Sequence, residues 1–165
     1  MKEPRDLIDQ LISDWHRERG DLDCGAMGVV GRIIYLGTLL RASASTVLEK
    51  HGLSYTDLDI LATLRRKGTP FRLTPTELGA AVLLTSGAVT TAVSRLVERE
   101  LVSRGKDLAD GRVKTVSLTP AGKQLIDVAI SDRFREAEVA ISGLTRDEAQ
   151  ALERMLRDLV LANEH

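Results

Sequence analysis

The chain has 165 residues and a net charge of −1, a length typical of one domain or of one domain with a helical appendage. Apolar residues make up 43% of it, enough for a core, but aromatic residues only 3%, which excludes an aromatic platform for single-stranded nucleic acid. We find no apolar run of membrane-spanning length and no apolar leader, so we expect a cytoplasmic protein. The single cysteine, Cys24, excludes an internal disulfide.

The charge is distributed unevenly along the chain. Residues 1–64 carry −3, residues 65–115 carry +5 and residues 116–165 carry −3. Because phosphate binding depends on the local field rather than on the total charge, the central segment is a candidate nucleic-acid surface. A solvated charge bias with no partner is the alternative.

Three helices with apolar faces are predicted before the central segment, over about residues 4–19, 26–51 and 54–66. The first helix carries Trp15 on its apolar face. The third begins at Ser54 or Thr56 and carries Asp59 at the edge of its apolar face. A tryptophan in such a position is more often a core residue than a ligand contact.

The stretch from Leu73 to Leu118 predicts two short helices followed by two strands. Thr74 and Glu77 form a capping box at the start of the first helix, and Thr85 or Ser86 caps the second. The second helix has an apolar face and an opposite face rich in hydroxyl groups. Such a face fits the major groove and can bond phosphates and base edges. Its residues are Ser86, Thr90, Thr91, Ser94 and Arg95.

Strands are predicted at residues 101–104 and 113–118, joined by a tip at residues 105–112 with two glycines. A helix-turn-helix followed by a basic hairpin is a winged helix, so the fold class is mainly α with a small β-wing. Arg99, Lys106 and Lys114 are predicted to contact phosphates. The alternative is a small α+β domain with no role in nucleic-acid binding.

Two more helices follow, the second of which starts at the capping box of Thr145 and Glu148. A winged helix of about 60 residues does not need these long apolar helices, so we expect helices from both termini to form a homodimer. The alternative is that they fill the core of their own subunit. The predicted regions are residues 1–53 for dimerisation and ligand binding, 54–118 for DNA binding and 119–165 for dimerisation.

Several motifs together resemble the MarR family of bacterial transcription regulators over about residues 30–160. They include Leu73–Leu78, the recognition stretch from Thr85 to Leu101, the wing Asp110–Arg112 and Val116–Gly122. The resemblance implies a homodimer with one winged helix per subunit, a palindromic operator and release by a small ligand. It also implies that Arg112 enters the minor groove and that Asp110 positions it.

The added N-terminal helix resembles that of the urate-responsive branch of this family. That branch uses a tryptophan, an aspartate and two arginines as its ligand site. Trp15, Asp59 and Arg104 match three of these positions, whereas Ala92 stands where the recognition helix would carry the second arginine. The expected effector is therefore a small anionic aromatic compound, with a purine, another aromatic acid or a non-purine left open.

Other chemistry finds little support in the sequence. The acidic neighbour Asp23 disfavours a thiolate at Cys24, which argues against redox sensing. The three histidines have no metal-ligand spacing, and no catalytic motif is present, so we expect no cofactor, no metal and no enzymatic activity. We expect a ligand-responsive repressor that binds double-stranded DNA. The alternative is a winged-helix module that binds proteins rather than DNA.

Overall fold

The structure is a computed structural model that describes residues 4–82, 86–106 and 111–164. The described elements, in chain order, are α1 (Leu7–Glu18), α2 (Gly25–Glu49), α3 (Tyr55–Arg66), β1 (Arg72–Leu73), α4 (Pro75–Val82), α5 (Ser86–Glu98), β2 (Val102–Lys106), β3 (Lys114–Leu118), α6 (Pro120–Ala140) and α7 (Arg146–Asn163). This mainly helical chain with one small antiparallel sheet confirms the predicted fold class. It divides after Ser43 into two compact units.

The first unit holds α1 and the first part of α2. Asp6 caps α1 by accepting from the amide of Asp9 at 2.9 Å, and Asp9 accepts from the amide of Asp6 at 3.0 Å, which makes a reciprocal capping box. Arg32 of α2 bonds both carboxylates, at 2.8 Å for Asp6 and 2.6 Å for Asp9. The guanidinium therefore ties the start of α1 to α2, with Ile8 buried between the helices.

The length and composition of α2 correct one expectation from the sequence. We found no apolar run long enough for a membrane span, but this 25-residue helix would qualify by length and composition. Arg32 and Arg41 interrupt the apolar residues, so the sequence shows no continuous apolar run. Two arginines inside the helix disfavour a lipid environment.

The second unit is built around an aliphatic core. α3, α4, α5 and α6 pack with the sheet, and α3 alone buries Ile60, Leu61 and Leu64 completely. The start of α6 approaches the end of α5 so closely that a Cβ at Gly122 would collide with the carbonyl of Leu101. The first half of α6 therefore belongs to the core of the winged helix, where Ile126 is also fully buried.

Hydroxyl caps start four of the helices. The cap side chain accepts from an amide three residues later in α3, α4, α6 and α7, and the caps are Ser54, Thr74, Thr119 and Thr145. Each satisfies an amide that the first turn leaves unpaired. For α5, Ser86 opens the helix and Thr85 lies outside the described residues.

The sheet has the order β1-β3-β2 and is antiparallel throughout. The short strand β1, before α4, pairs with β3. β2 is longer than predicted, because Gly105 and Lys106 pair with Thr115 and Lys114 instead of belonging to the tip. Residues 107–110, which include Asp110, lie outside the described residues.

The last helix buries none of its side chains within the described chain. Its apolar residues nevertheless recur at helical spacing and form one exposed stripe, which we call the α7 stripe: Leu152, Met155, Leu156, Leu159 and Val160. In the first unit, α1 and α2 also expose large apolar side chains, among them Leu11, Val29 and Ile34. Exposed apolar patches of several side chains are typical of interaction sites.

Candidate nucleic-acid interface

The exposed face of α5 carries the hydroxyl groups that the sequence predicted. Val89, Val93 and Leu96 turn the opposite face into the core. Thr90 and Thr91 are exposed, and Ser94 is half-buried. Ser94 Oγ donates to the carbonyl of Thr90 at 2.9 Å, so its oxygen keeps the capacity to accept a further hydrogen bond. The Ser86 side chain lies outside the described part of the chain.

Basic side chains of the wing lie beside this face of α5. Lys106 and Lys114 are directly opposite each other at the ends of β2 and β3, and both are exposed. Arg112 is exposed just before β3. The structure therefore places hydroxyl groups and lysines on neighbouring surfaces of one unit. Their contacts with DNA, including that of Asp110, stay predictions.

Arg95, predicted to read bases, is engaged with α3. Its Nη2 lies 2.6 Å and its Nε 3.2 Å from Oδ1 of Asp57, whose side chain is 3% exposed. Ser54 donates its amide and its hydroxyl to Oδ2 of the same carboxylate, at 2.9 and 2.7 Å. Burial alone would raise the pKa of Asp57, but the hydrogen bonds from Arg95 and Ser54 outweigh it, so the pKa lies below its ordinary value.

The energetics of this pair disfavour a free Arg95. Removing one partner of a fully buried ion pair costs about 3–5 kcal/mol, because the other charge is left buried without compensation. Arg95 itself is 44% exposed, so solvent screening reduces that figure here. Sequence analysis missed Asp57, although Ser54-x-x-Asp57 is itself a capping-box pattern that could have revealed it.

Arg99, predicted to contact phosphate, is engaged with the turn between α2 and α3. Its Nη1 donates to the carbonyl oxygen of Gly52 at 2.7 Å. Gly52 has a φ of +62° and ends α2, with its amide bonded to the carbonyl of Glu49 and the Leu53 amide bonded to that of Leu48. This is a Schellman motif, in which glycine takes the left-handed conformation without strain.

A cavity of about 510 Å³ lies between α5 and the wing. Its walls are apolar at Val89, Val93 and Val116, and Arg104, Lys106 and Lys114 also line it. Thr115, which is 3% exposed, contributes a buried Oγ1 that has no hydrogen-bond partner in the described part of the chain. Arg104 Nη2 donates to Ser94 Oγ at 2.7 Å, so the cavity is linked to the exposed face of α5.

The other predicted ligand residues lie apart in the chain. Trp15, in the first unit, is 55% exposed and lines an apolar cavity of about 380 Å³ with Leu11, Met27 and the buried Cys24. Asp59 is half-buried on α3 in the second unit, which also contains Arg104. A shared pocket of Trp15, Asp59 and Arg104 stays a prediction.

Sequence reasoning also missed one contact between the end of α2 and α6. His51 Nε2 lies 2.9 Å from Oδ2 of Asp132, and the His51 side chain is 13% exposed. The hydrogen bond with His51, assisted by Arg135, lowers the pKa of Asp132. No signal at the sequence level joins two residues 81 positions apart.

Comparison with known proteins supports the assignment that the winged helix suggests. A family model described as the MarR family matches residues 51–113. The chain is 28% identical over 149 residues to the HTH-type transcriptional regulator PecS of Dickeya dadantii. The matched region covers 90% of this chain and 90% of the relative. It is 32% identical to the HTH-type transcriptional regulator MhqR of Bacillus subtilis, over 67% of this chain and 74% of the relative. The chain belongs to the MarR family.

MarR-family proteins are transcriptional regulators rather than enzymes, which agrees with the expected class. A solved structure of BpsR from Bordetella bronchiseptica has the same fold, with a TM-score of 0.69 and 23% identity over 79% of this chain and 92% of that one. The DNA binding of BpsR is regulated by 6-hydroxynicotinic acid.

Proposed function

We propose that this MarR-family regulator is a ligand-responsive repressor that binds a palindromic DNA operator as a homodimer. The observation that carries the proposal is the exposed hydroxyl face of α5, flanked by the exposed lysines of the wing. Hydroxyl groups bond both phosphates and base edges, and lysines neutralise phosphates. The segment from residue 65 to 115, which contains this surface, carries +5, and this charge supports binding to phosphates.

In this proposal α5 enters the major groove. Thr90, Thr91 and Ser94, with Ser86 at the helix start, face the base edges, while Lys106 and Lys114 contact phosphates. Arg112 reaches the minor groove from the wing, and Asp110 orients it, as the family resemblance implies.

The homodimer is supported by the apolar surface that a single chain leaves uncovered. The α7 stripe in the second unit and the exposed residues of α1 and α2 in the first unit each supply apolar surface of the kind found in subunit interfaces. We propose that residues 1–53 and 119–165 contribute this interface and that residues 54–118 contact DNA. A two-fold dimer presents two α5 helices to two half-sites, which accounts for a palindromic operator.

The cavity between α5 and the wing is the proposed effector site. A planar anion would place its ring against Val89, Val93 and Val116 and its charge beside Arg104 and the lysines. The unpartnered Thr115 Oγ1 would gain a hydrogen bond. The regulation of BpsR by an aromatic acid supports this ligand class. Trp15 and Asp59 do not line this cavity, and their predicted part in ligand binding stays a prediction.

The proposed release of DNA follows from the contact between Arg104 and Ser94. An anion that binds the guanidinium competes with Ser94 Oγ, which lies on the DNA-facing surface of α5. The anion shifts the population only if it binds the DNA-free conformation more tightly than the DNA-bound one. Arg104 thereby links effector binding to the orientation of Ser94.

The proposal is tested by fluorescence anisotropy with the DNA upstream of the protein's own gene, across a salt series and with urate, other purines and aromatic acids. Steeply salt-dependent binding that an aromatic acid releases is the expected result. Arg104→Gln should abolish the release and Thr115→Val should weaken it. Binding that no compound releases would overturn the effector site, and absence of binding to any duplex would favour the protein-interaction module.

Arg112→Ala is expected to weaken binding and to flatten the slope of log K against log [salt] by about one unit, because one phosphate-region charge is lost. Arg154→Ala, at an exposed position on α7, is the matched control and should leave the slope unchanged. An unchanged slope for Arg112→Ala would contradict the assignment of the wing.

A further inference from the structure

Two arginines at the end of α5 are bonded to a single region at the start of α3. Arg95 bonds the buried carboxylate of Asp57, and Arg99 bonds the carbonyl of Gly52. A third contact runs from Arg95 Nη2 to the hydroxyl of Ser54 at 3.4 Å. We call Gly52, Ser54 and Asp57 the α3 anchor.

We propose that Arg95 and Arg99 are positioning residues, which fix the recognition helix to the α3 anchor and do not themselves contact DNA. This inference rests on the proposed DNA binding by α5, because a fixed angle of that helix matters only if the helix reads a partner. It reverses the role that sequence reasoning gave both arginines, which was direct contact with bases or phosphates.

The acceptors of both arginines are held in place by contacts within the fold. The Asp57 carboxylate is held by two hydrogen bonds from Ser54 and is almost entirely buried. The Gly52 carbonyl belongs to the Schellman motif, whose flanking side chains, Leu48 and Leu53, lie in the core. A guanidinium bonded to such acceptors is restricted in its side-chain conformation. It therefore fixes the position of α5 relative to the α3 anchor.

The position of the two arginines along α5 suits this role. Arg95 and Arg99 are one turn apart and follow the DNA-facing Thr90 and Thr91, so they act at the opposite end of the helix from its start. Val93 and Leu96 hold the buried side of the helix in the core. The arginines add a restraint on rotation and tilt that apolar packing, which is not directional, does not supply.

Positioning and phosphate contact predict different results for the same substitutions, whereas a lost base contact resembles lost positioning and is distinguished from it by Asp57→Asn. An arginine that contacts phosphate contributes about 0.9 to the salt slope and strengthens binding to every sequence. A positioning arginine raises only the affinity for the DNA sequence that α5 prefers, because it holds α5 at the orientation that this sequence requires. Its loss should therefore lower specific affinity while leaving the salt slope and non-specific affinity unchanged.

The experiment uses the full-length protein with Arg95→Gln, Arg99→Gln and the double variant. The probes are a duplex selected by this protein from a random library and a scrambled duplex of the same base composition, each in a salt series. We expect roughly tenfold weaker binding to the selected duplex for Arg95→Gln, the order found when coupled side chains are separated. Binding to the scrambled duplex should change less than about twofold, with unchanged slopes.

Lys106→Gln is the matched control, since its exposed lysine is proposed to contact phosphate. This substitution should weaken binding to both duplexes equally and flatten both salt slopes. Asp57→Asn supplies a second comparison, in which Arg95 is kept but loses its charged partner. Positioning predicts loss of specific affinity here too, whereas direct contact predicts unchanged or tighter binding by the released arginine. Arg95→Lys, which keeps one hydrogen bond to Asp57, should restore part of the loss.

The outcomes separate the two proposals. Flattened slopes and weaker binding to the scrambled duplex with Arg95→Gln and Arg99→Gln would overturn the positioning role and keep the DNA-binding function. Wild-type protein that binds neither duplex would overturn the DNA-binding function itself, and the positioning role with it. Circular dichroism melting of each variant must show a folded protein at the assay temperature, and Arg99→Gln, which leaves the buried carboxylate paired, provides the test if Arg95→Gln fails to fold.

Discussion

The α3 helix and the α7 helix have the same kind of amphipathic sequence but opposite surroundings. Both begin with a hydroxyl cap and carry leucines at helical spacing. α3 buries all of its leucines, whereas α7 buries none of its side chains in the described chain. Helical periodicity therefore defines an apolar face without naming what covers it, and for α7 we propose a second copy of the chain.

The comparison is tested most strongly by truncating one leucine in each helix. Leu61→Ala, at a fully buried position of α3, should lower the free energy of unfolding by about 2–5 kcal/mol, because it removes contacts and leaves a cavity. Leu161→Ala, which is 59% exposed on α7 and outside the α7 stripe, should change it by less than about 1 kcal/mol. Urea denaturation measures both, and equal losses would contradict the contrast.

Charges placed in the α7 stripe should separate the proposed dimer. Met155→Glu with Leu159→Glu buries carboxylates in an apolar interface, so we expect the dissociation constant to rise by about a hundredfold or more. Light scattering after size exclusion reads the mass directly. Leu161→Glu adds a charge on the same helix outside the stripe and should leave the mass unchanged. A monomeric wild type would overturn the proposed interface.

The smallest effect concerns pH and the α3 anchor. The pKa of Asp57 in the folded chain lies below its ordinary value of 3.8. Its ionised form therefore contributes stability in full above pH 3.8, and that contribution is lost as the pH falls through the lower folded value. Asp57→Asn should lose stability less steeply below pH 3.8 than wild type in acid unfolding followed by circular dichroism. Parallel curves would show that Asp57 gains no stabilisation from its partners.

Much of the winged helix was predictable from the sequence, because capping boxes, glycines and alternating strands are local signals. Thr74 with Glu77 and Thr145 with Glu148 marked helix starts correctly. The hydroxyl face of α5 followed from helical spacing alone. These features depend on residues close together in the chain.

The partners of the long side chains were not predictable in the same way. Arg95 and Asp57 are 38 positions apart, and Arg99 and Gly52 are 47 apart. Spacing places an arginine on a polar face, but tertiary structure decides whether the guanidinium faces solvent or turns to a neighbouring helix. For the same reason Asp59 drew attention in α3 while the buried Asp57, two residues earlier, did not.

The buried hydroxyl of Thr115 destabilises the folded wing, whereas an apolar side chain at this position would not. A donor buried without a partner destabilises a protein by about 1–3 kcal/mol, and valine has nearly the same shape without that group. Thr115→Val should therefore raise the melting temperature. A library selected for heat resistance alone would enrich valine at this position, whereas selection for effector response would retain threonine. The ratio of the two residues after each selection would measure how strongly regulation, rather than folding, maintains that side chain.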